Sequence, residues 1–264
     1  MRKYFINLAR SPDRCAKFDK TWTRWEATDY RDLEIDDPIF TRMCSIWNTD
    51  PKMHQAKSCC FLSHYRLLQY IVEHKLNEVL ICEDDAVQIN PIPEKLGETF
   101  TYLGGYFHSL RMTDGPLRCE VPSEPGLNPL CRDQSRMMCM LSYYIPRWEI
   151  AESLLSFFDS KARLRAIDVM LFTAPISFSY YFPAPFVEGD DPSTIRSKKQ
   201  KHGDTHYLLK WVSQRIAWNS PVRSSVWHRV LRYVPTVSSP DLSSSRHPCF
   251  SRNTPERVLS SEPF

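Results

Sequence analysis

The sequence predicts an α/β sandwich with a mainly parallel central sheet and ligands bound at the carboxyl ends of its strands. Three observations carry that expectation. An apolar strand-like stretch, residues 3–8, opens the chain and runs at once into a helix start. A helical pattern from Ser58 to about Lys75 feeds directly into the apolar run Val79-Leu80-Ile81-Cys82. Behind that run stand three adjacent acids, Glu83-Asp84-Asp85.

Residues 3–8 read as a buried strand. Ser11-Pro12-Asp13-Arg14 then supplies an N-cap, a proline at the first helical position and an acid in the first turn. Arg10 and Arg14 flank that start, where free backbone N–H groups favour anions. They read equally well as two surface arginines. From Ser58 onward Phe61, Leu62, Tyr65, Leu68, Ile71 and Val72 share one helical face, and Asn77 is the expected C-cap. The acidic triplet follows the next strand. Adjacent carboxylates repel one another, and their oxygens suit Mg²⁺ or Mn²⁺, ions that bridge proteins to nucleotide phosphates. A solvated acidic turn is the competing reading, and the triplet taken alone favours it.

The middle of the chain is less regular. Tyr102 to Phe107 is expected as a strand carrying Gly104-Gly105, and residues 113–135 as a polar, proline-rich loop. Met137 to Ile145 reads as a strand and Pro146 to Phe158 as an amphipathic helix. Residues 166–172 begin either a helix or a strand, since the period does not separate the two. Phe178 to Phe182 is strand-like and leads through Pro183-Ala184-Pro185 to Phe186-Val187-Glu188. Residues 1–204 thus read as the main domain. Residues 205–235 carry three tryptophans among lysines and arginines, and their spacing suggests two basic amphipathic helices broken at Pro221. These either touch an anionic membrane surface peripherally or cap the domain. From residue 236 a Ser- and Pro-rich tail is expected to be disordered.

Composition narrows the function classes. At 264 residues with 42% hydrophobic content the chain can bury a substantial core. A formal charge of +3 argues for no nucleic-acid partner. Nine cysteines, an odd number without CxxC spacing, suggest free thiols in a reducing compartment, with neither a disulfide framework nor a zinc site. Met1-Arg2-Lys3 runs straight into the first strand and no apolar run is long enough to span a bilayer. A cytoplasmic protein is therefore expected.

Several pieces, in order, resemble the glycosyltransferase family 25 pattern, which includes lipooligosaccharide and collagen galactosyltransferases. Phe5-Ile6-Asn7-Leu8 with Arg10-Ser11-Pro12-Asp13-Arg14 resembles its N-terminal strand and arginine motif. Ala27-Thr28-Asp29 is similar to a short strand ending in an acidic turn, and Cys60-Phe61-Leu62-Ser63-His64 to its Cys-x-x-Ser-His helix start. Val79 to Asp85 resembles its hydrophobic strand ending in Glu-Asp-Asp. Ser142-Tyr143-Tyr144-Ile145, Asp168-Val169, Pro185-Phe186-Val187 and Ser193-Thr194-Ile195 are similar to downstream elements, so the likeness covers about residues 3–200. Two features depart from it. Ala56-Lys57-Ser58-Cys59 stands where the family has Gly-Glu-x-Gly before its cysteine, and Glu188 stands where a glutamine is common.

The resemblance implies a GT-A-like, nucleotide-sugar-binding sandwich that moves galactose or glucose from a UDP-sugar to a glycan or glycolipid hydroxyl, as in lipopolysaccharide biosynthesis. It implies Mn²⁺ or Mg²⁺ held by Asp85 with Asp84, and Glu83 in a supporting or ribose-side place. Arg10 and Arg14 would meet the diphosphate, and Asn7 and Asp29 the uridine; for Asn7 a strand-end structural role is equally open. His64 is either a donor-site residue or a satisfied buried histidine. The family's β-linkages imply inversion, with Asp168 as first candidate base and Glu188 as second, against helix-cap or surface roles for each. Two further classes stay open: a catalytically inactive relative that binds nucleotide-sugar, glycan or a partner, and a metal-dependent phosphohydrolase built on the acidic triplet.

Overall fold

A computed structural model describes residues 1–32, 38–43, 51–109, 125–130 and 135–189. All belong to the first of two compact units into which the chain divides, Met1–Ser220. The basic helices expected over 205–235, the tail from 236 and the Ser193-Thr194-Ile195 motif lie outside the described residues.

The described residues form a mixed sheet with helices against one face. Its strands are β1 (Arg2–Asn7), β2 (Trp22–Glu26), β3 (Val79–Glu83), β4 (Ala86–Gln88), β5 (Phe100–Ser109), β6 (Gly126–Pro129), β7 (Ser135–Ile145), β8 (Phe178–Phe182) and β9 (Phe186–Glu188). Spatial order is β2-β1-β3-β7-β5-β8-β6, and β9 joins β4 to β5. Parallel pairing unites β1 with β2 and β3, and β5 with β8 and β9. The long β7 runs antiparallel between β3 and β5. The α/β expectation is borne out, and all five expected strands correspond to observed ones, β1, β3, β5, β7 and β8. Within the span expected as loop, β6 is a short strand paired antiparallel to β8.

Alternation along the strands divides two cores, as a period of two requires. Tyr4, Ile6, Val79, Ile81, Tyr143 and Ile145 point to the face covered by helices α1 (Pro38–Arg42), α2 (Pro51–Glu73), α3 (Trp148–Asp159) and α4 (Ile167–Thr173). Phe5, Leu80, Cys82 and Tyr144 point to the opposite face. There Phe18, just beyond a 3₁₀ helix over Pro12–Lys17, stacks on Phe5 with ring centroids 4.3 Å apart. The expected helix after Ser11 is thus a short 3₁₀ turn, and Ser11 makes no side-chain cap. The ambiguous residues 166–172 are helical.

Two caps differ from expectation. Helix α2 ends in a Schellman motif centred on Lys75, whose φ is 48°. The Lys75 N–H donates to Val72 O at 3.1 Å and the Leu76 N–H to Ile71 O at 2.9 Å. Leu76 and Ile71 are both buried, which supplies the apolar contact such motifs carry. Asn77 instead accepts the Trp148 N–H at 3.2 Å, capping the start of α3. The other difference lies at the amino end of α2. The helix starts at Pro51, a residue suited to a first turn, so His64 lies roughly three and a half turns inside it. The Cys60-x-x-Ser63-His64 sequence is therefore mid-helix, a correction to the expected helix start.

Gly104 is where the sheet closes over the site. It pairs with Phe186 of β9 and Ser142 of β7, between two register shifts in β5. A Cβ at this position would meet Phe186 Cβ and carbonyl O at 3.1 Å and Leu141 Cβ at 3.2 Å. The missing side chain lets β9 lie against β5 and carry Glu188 toward the end of β3. Gly104→Val should cost roughly 1–3 kcal/mol through overpacking, read as a lowered urea midpoint; an unchanged midpoint would show that β9 does not pack there.

Candidate active site

Parallel strands β1 and β3 end side by side, with Ile6 in register with Glu83. Asn7 and the acidic triplet therefore leave the sheet at the same edge, where ligands of α/β folds gather. A cleft opens there, lined by Arg10 and Arg14 on one side and by Cys60, His64, Glu83, Asp84 and Asp85 on the other.

Asn7 is buried beneath this cleft, 1% exposed. Its Nδ2 donates to Ser11 O at 3.0 Å and to Asp84 Oδ2 at 2.8 Å. Its Oδ1 accepts Arg24 Nε at 2.9 Å and the Cys15 thiol at 3.1 Å. An amide has two N–H hydrogens and two oxygen lone pairs, and all four are used. Of the two roles open to Asn7, the structural one is observed; its side chain has no donor or acceptor to spare for uridine.

Asp84 is held from two sides. Asn7 takes Oδ2, and Arg14 Nη1 approaches Oδ1 at 2.6 Å within a largely buried ion pair. Charge-assisted bonds of this length are strong and directional. Asp84 is thereby anchored, with Arg14 as its counter-charge. Asp85 differs. Its Oδ1 is buried and has no hydrogen-bond partner among the described residues. Burial, then the charges of Glu83, Glu188 and Asp84, push its carboxyl up from 3.8 to about 8, with Arg14 opposing. An orphaned buried oxygen among like charges fits a hard divalent cation. Lys17 is a neighbour that sequence reasoning missed: burial lowers its pKa while Asp85 and Asp84 oppose.

The other expected residues fall into three positions. Glu188 pairs with Ala86 across β4 and β9, and the Gly189 N–H donates to Asp85 O at 2.8 Å. This brings Glu188 to the acid cluster. Asp29 sits at the rim, its Oδ2 3.0 Å from Arg10 Nε and 3.4 Å from Arg31. It reaches the cleft through Arg10, which also lies over the Tyr30 ring at 5.3 Å. Asp168 does not line the cleft. Its Oδ2 accepts the Cys139 N–H at 3.3 Å and its Oδ1 the Val169 N–H at 2.8 Å. Cys139 has φ 67° inside an irregular stretch of β7, so Asp168 satisfies an amide turned out of the ladder. This is the helix-cap alternative for Asp168, while its charge still acts on the Cys60 thiol at the cleft.

His64 is buried, 1% exposed, yet borders the cleft. Nδ1 lies 2.9 Å from the Tyr143 hydroxyl and Nε2 3.3 Å from Glu83 Oε1. An ionised Glu83 only accepts, so Nε2 carries the proton and, in a neutral ring, Tyr143 donates to Nδ1. Burial, then the charge of Glu83, raises the Tyr143 hydroxyl well above its usual range, keeping it a donor. One helical position earlier, Ser63 accepts the Thr28 N–H at 2.9 Å and donates to Cys59 O at 2.7 Å. The Ser-His pair thus splits: Ser63 pins the loop after β2 to α2, and His64 orients Glu83. In the sequence Tyr143 reads only as part of a strand and Arg24 is not singled out at all, because their partners lie in other segments.

Residues 1–101 match the family model described as glycosyltransferase family 25 (LPS biosynthesis protein). The match takes in Asn7, both cleft arginines, His64 and the acidic triplet, and stops short of Asp168 and Glu188. No curated protein matches the chain.

Two outcomes follow from this geometry. Asn7→Ala strands Arg24 and half of Asp84 and should cost roughly 1–3 kcal/mol in urea denaturation. Asp85 gives a pH signature: because its folded pKa is raised, the folded chain holds a proton that the unfolded chain releases. In chelator, its stabilisation is complete below the ordinary 3.8 and is lost as pH rises through about 8. Asp85→Asn should flatten that decline in the urea midpoint; an identical pH profile in both proteins would contradict the raised carboxyl.

Proposed function

We propose that this chain is a metal-dependent, inverting glycosyltransferase that moves a hexose from a UDP-sugar to a hydroxyl of a glycan or lipooligosaccharide-type acceptor. The observation that carries the reading is the orphaned Asp85 oxygen at the end of β3, in a cleft that also presents two arginines. The family match over residues 1–101 supports it, since the same segment supplies nearly the whole cleft. Among the described residues no helix is long and apolar enough to cross a membrane.

Asp85 would hold Mn²⁺ or Mg²⁺, with Asp84 fixed behind it by Asn7 and Arg14. The ion, when bound, neutralises charge developing on the departing diphosphate. Arg10 sits at the mouth, held by Asp29 and Tyr30, where a guanidinium meets an incoming phosphate without first paying for its own ordering. Glu83, hydrogen-bonded to His64, would line the cleft beside Asp85. Glu188 is the assigned base, because Asp168 is occupied with backbone amides. It accepts the acceptor hydroxyl proton as that oxygen attacks the anomeric carbon from the face opposite UDP.

The test is UDP release with Mn²⁺ and a panel of UDP-hexoses and acceptors. Asp85→Ala should remove metal-dependent turnover, and Glu188→Gln should lower kcat by about 10²–10⁴-fold with little change in donor binding, as loss of a general base does. Full turnover in Asp85→Ala would end the reading. Tight, Mn²⁺-dependent UDP binding without turnover on any pair would favour the inactive relative instead, and the altered residues 56–59 are the feature that points that way.

A further inference from the structure

We propose that Cys60, His64 and Glu83 form a second metal site in this cleft, one that takes a zinc-class ion rather than Mg²⁺ or Mn²⁺. Cys60 and His64 are four residues apart on α2 and so share a helical face. That face meets the end of β3, where Glu83 sits. One ligand atom from each of the three residues falls within 4.8 Å of the other two. Sulfur, imidazole nitrogen and carboxylate oxygen together are a zinc ligand set, whereas Mg²⁺ and Mn²⁺ favour oxygen alone.

Three further observations fit. All three residues border the cleft, so a fourth position faces solvent or a ligand, the arrangement of three-ligand zinc sites. The Tyr143 hydroxyl lies 2.9 Å from His64 Nδ1; with a metal on Nε2 the ring takes the other tautomer, so Nδ1–H donates to Tyr143, the orienting bond of a metal-bound histidine, and the Nε2 lone pair faces the ion. Negative charge from Glu83, Asp168 and Asp85 surrounds the thiol. Burial and those charges keep Cys60 protonated without a cation; on binding, the thiol proton leaves to solvent and the thiolate takes its place on the metal. The sequence offered no CxxC pattern because the three ligands come from one helix and a distant strand.

The inference does not rest on the glycosyltransferase reading, and its test does not use turnover. Reduced, chelator-treated full-length protein is titrated with Co²⁺, and absorbance is followed. One equivalent should give a thiolate-to-cobalt charge-transfer band that Zn²⁺ bleaches and equimolar Mn²⁺ does not. Cys60→Ser should lose the band; His64→Ala and Glu83→Gln should weaken Co²⁺ affinity at least tenfold. Cys59→Ser and Asp85→Ala should keep it. As a measurement free of any substitution, Zn²⁺ should slow alkylation of Cys60 in the unmodified chain, mapped by mass spectrometry, far more than that of Cys15. No band in the unmodified protein, a band that survives Cys60→Ser, or equal alkylation with and without Zn²⁺ would overturn the site.

Discussion

The bond between Asn7 and Asp84 is the constraint on which the site depends. It joins the end of β1 to the turn after β3, and the same amide also reaches Ser11, Cys15 and Arg24. One buried side chain thereby fixes the 3₁₀ turn, the second strand and the acidic triplet relative to one another. A polar group buried so completely is tolerated because each of its donors and acceptors is satisfied. With Asp84 committed to Asn7 and Arg14, the neighbouring carboxylate is left to do something else.

That division of labour among three consecutive acids is the main electrostatic result. Glu83 faces α2 and meets His64, Asp84 faces β1 and its arginine, and Asp85 is left with a buried oxygen that no described residue satisfies. A strand end that turns sharply sends successive side chains in different directions, so adjacency in sequence becomes separation in role. Oxygen donors gather around Asp85, while Glu83 joins a thiol and an imidazole on the helix side.

Glycine and bulge positions decide which downstream acid belongs to the site. Gly104 lets β9 approach β5, and the β4–β9 pairing then brings Glu188 beside Asp85. Asp168 lies on the helix that packs on β7, where an amide at Cys139 has left the ladder and needs an acceptor. Both residues are carboxylates after an apolar stretch. What separates them in the fold is their neighbours: the charge of Glu188 acts on Asp85, whereas Asp168 accepts backbone amides.

Much of the architecture was legible from local pattern. Apolar strand-like runs marked β1, β3, β5, β7 and β8, the 3.6-residue spacing marked α2 and α3, and the run ending in Glu83-Asp84-Asp85 placed the site at a strand end. These readings hold because backbone periodicity and burial are written locally. Caps and helix starts were less legible: Lys75 in the left-handed region and Asn77 serving α3 both depend on what the next element needs. Partnership was not legible at all. Asn7 with Asp84, His64 with Tyr143, and Cys60 with Glu83 are contacts between segments many residues apart, set by strand order and helix docking. By itself the sequence determined which chemistry was available, an acidic strand end with arginines, a histidine and a thiol nearby. The tertiary structure alone decided which of those groups are already satisfied by one another and which are left for a ligand, because hydrogen-bond saturation is a property of the folded neighbourhood and not of any local run of residues.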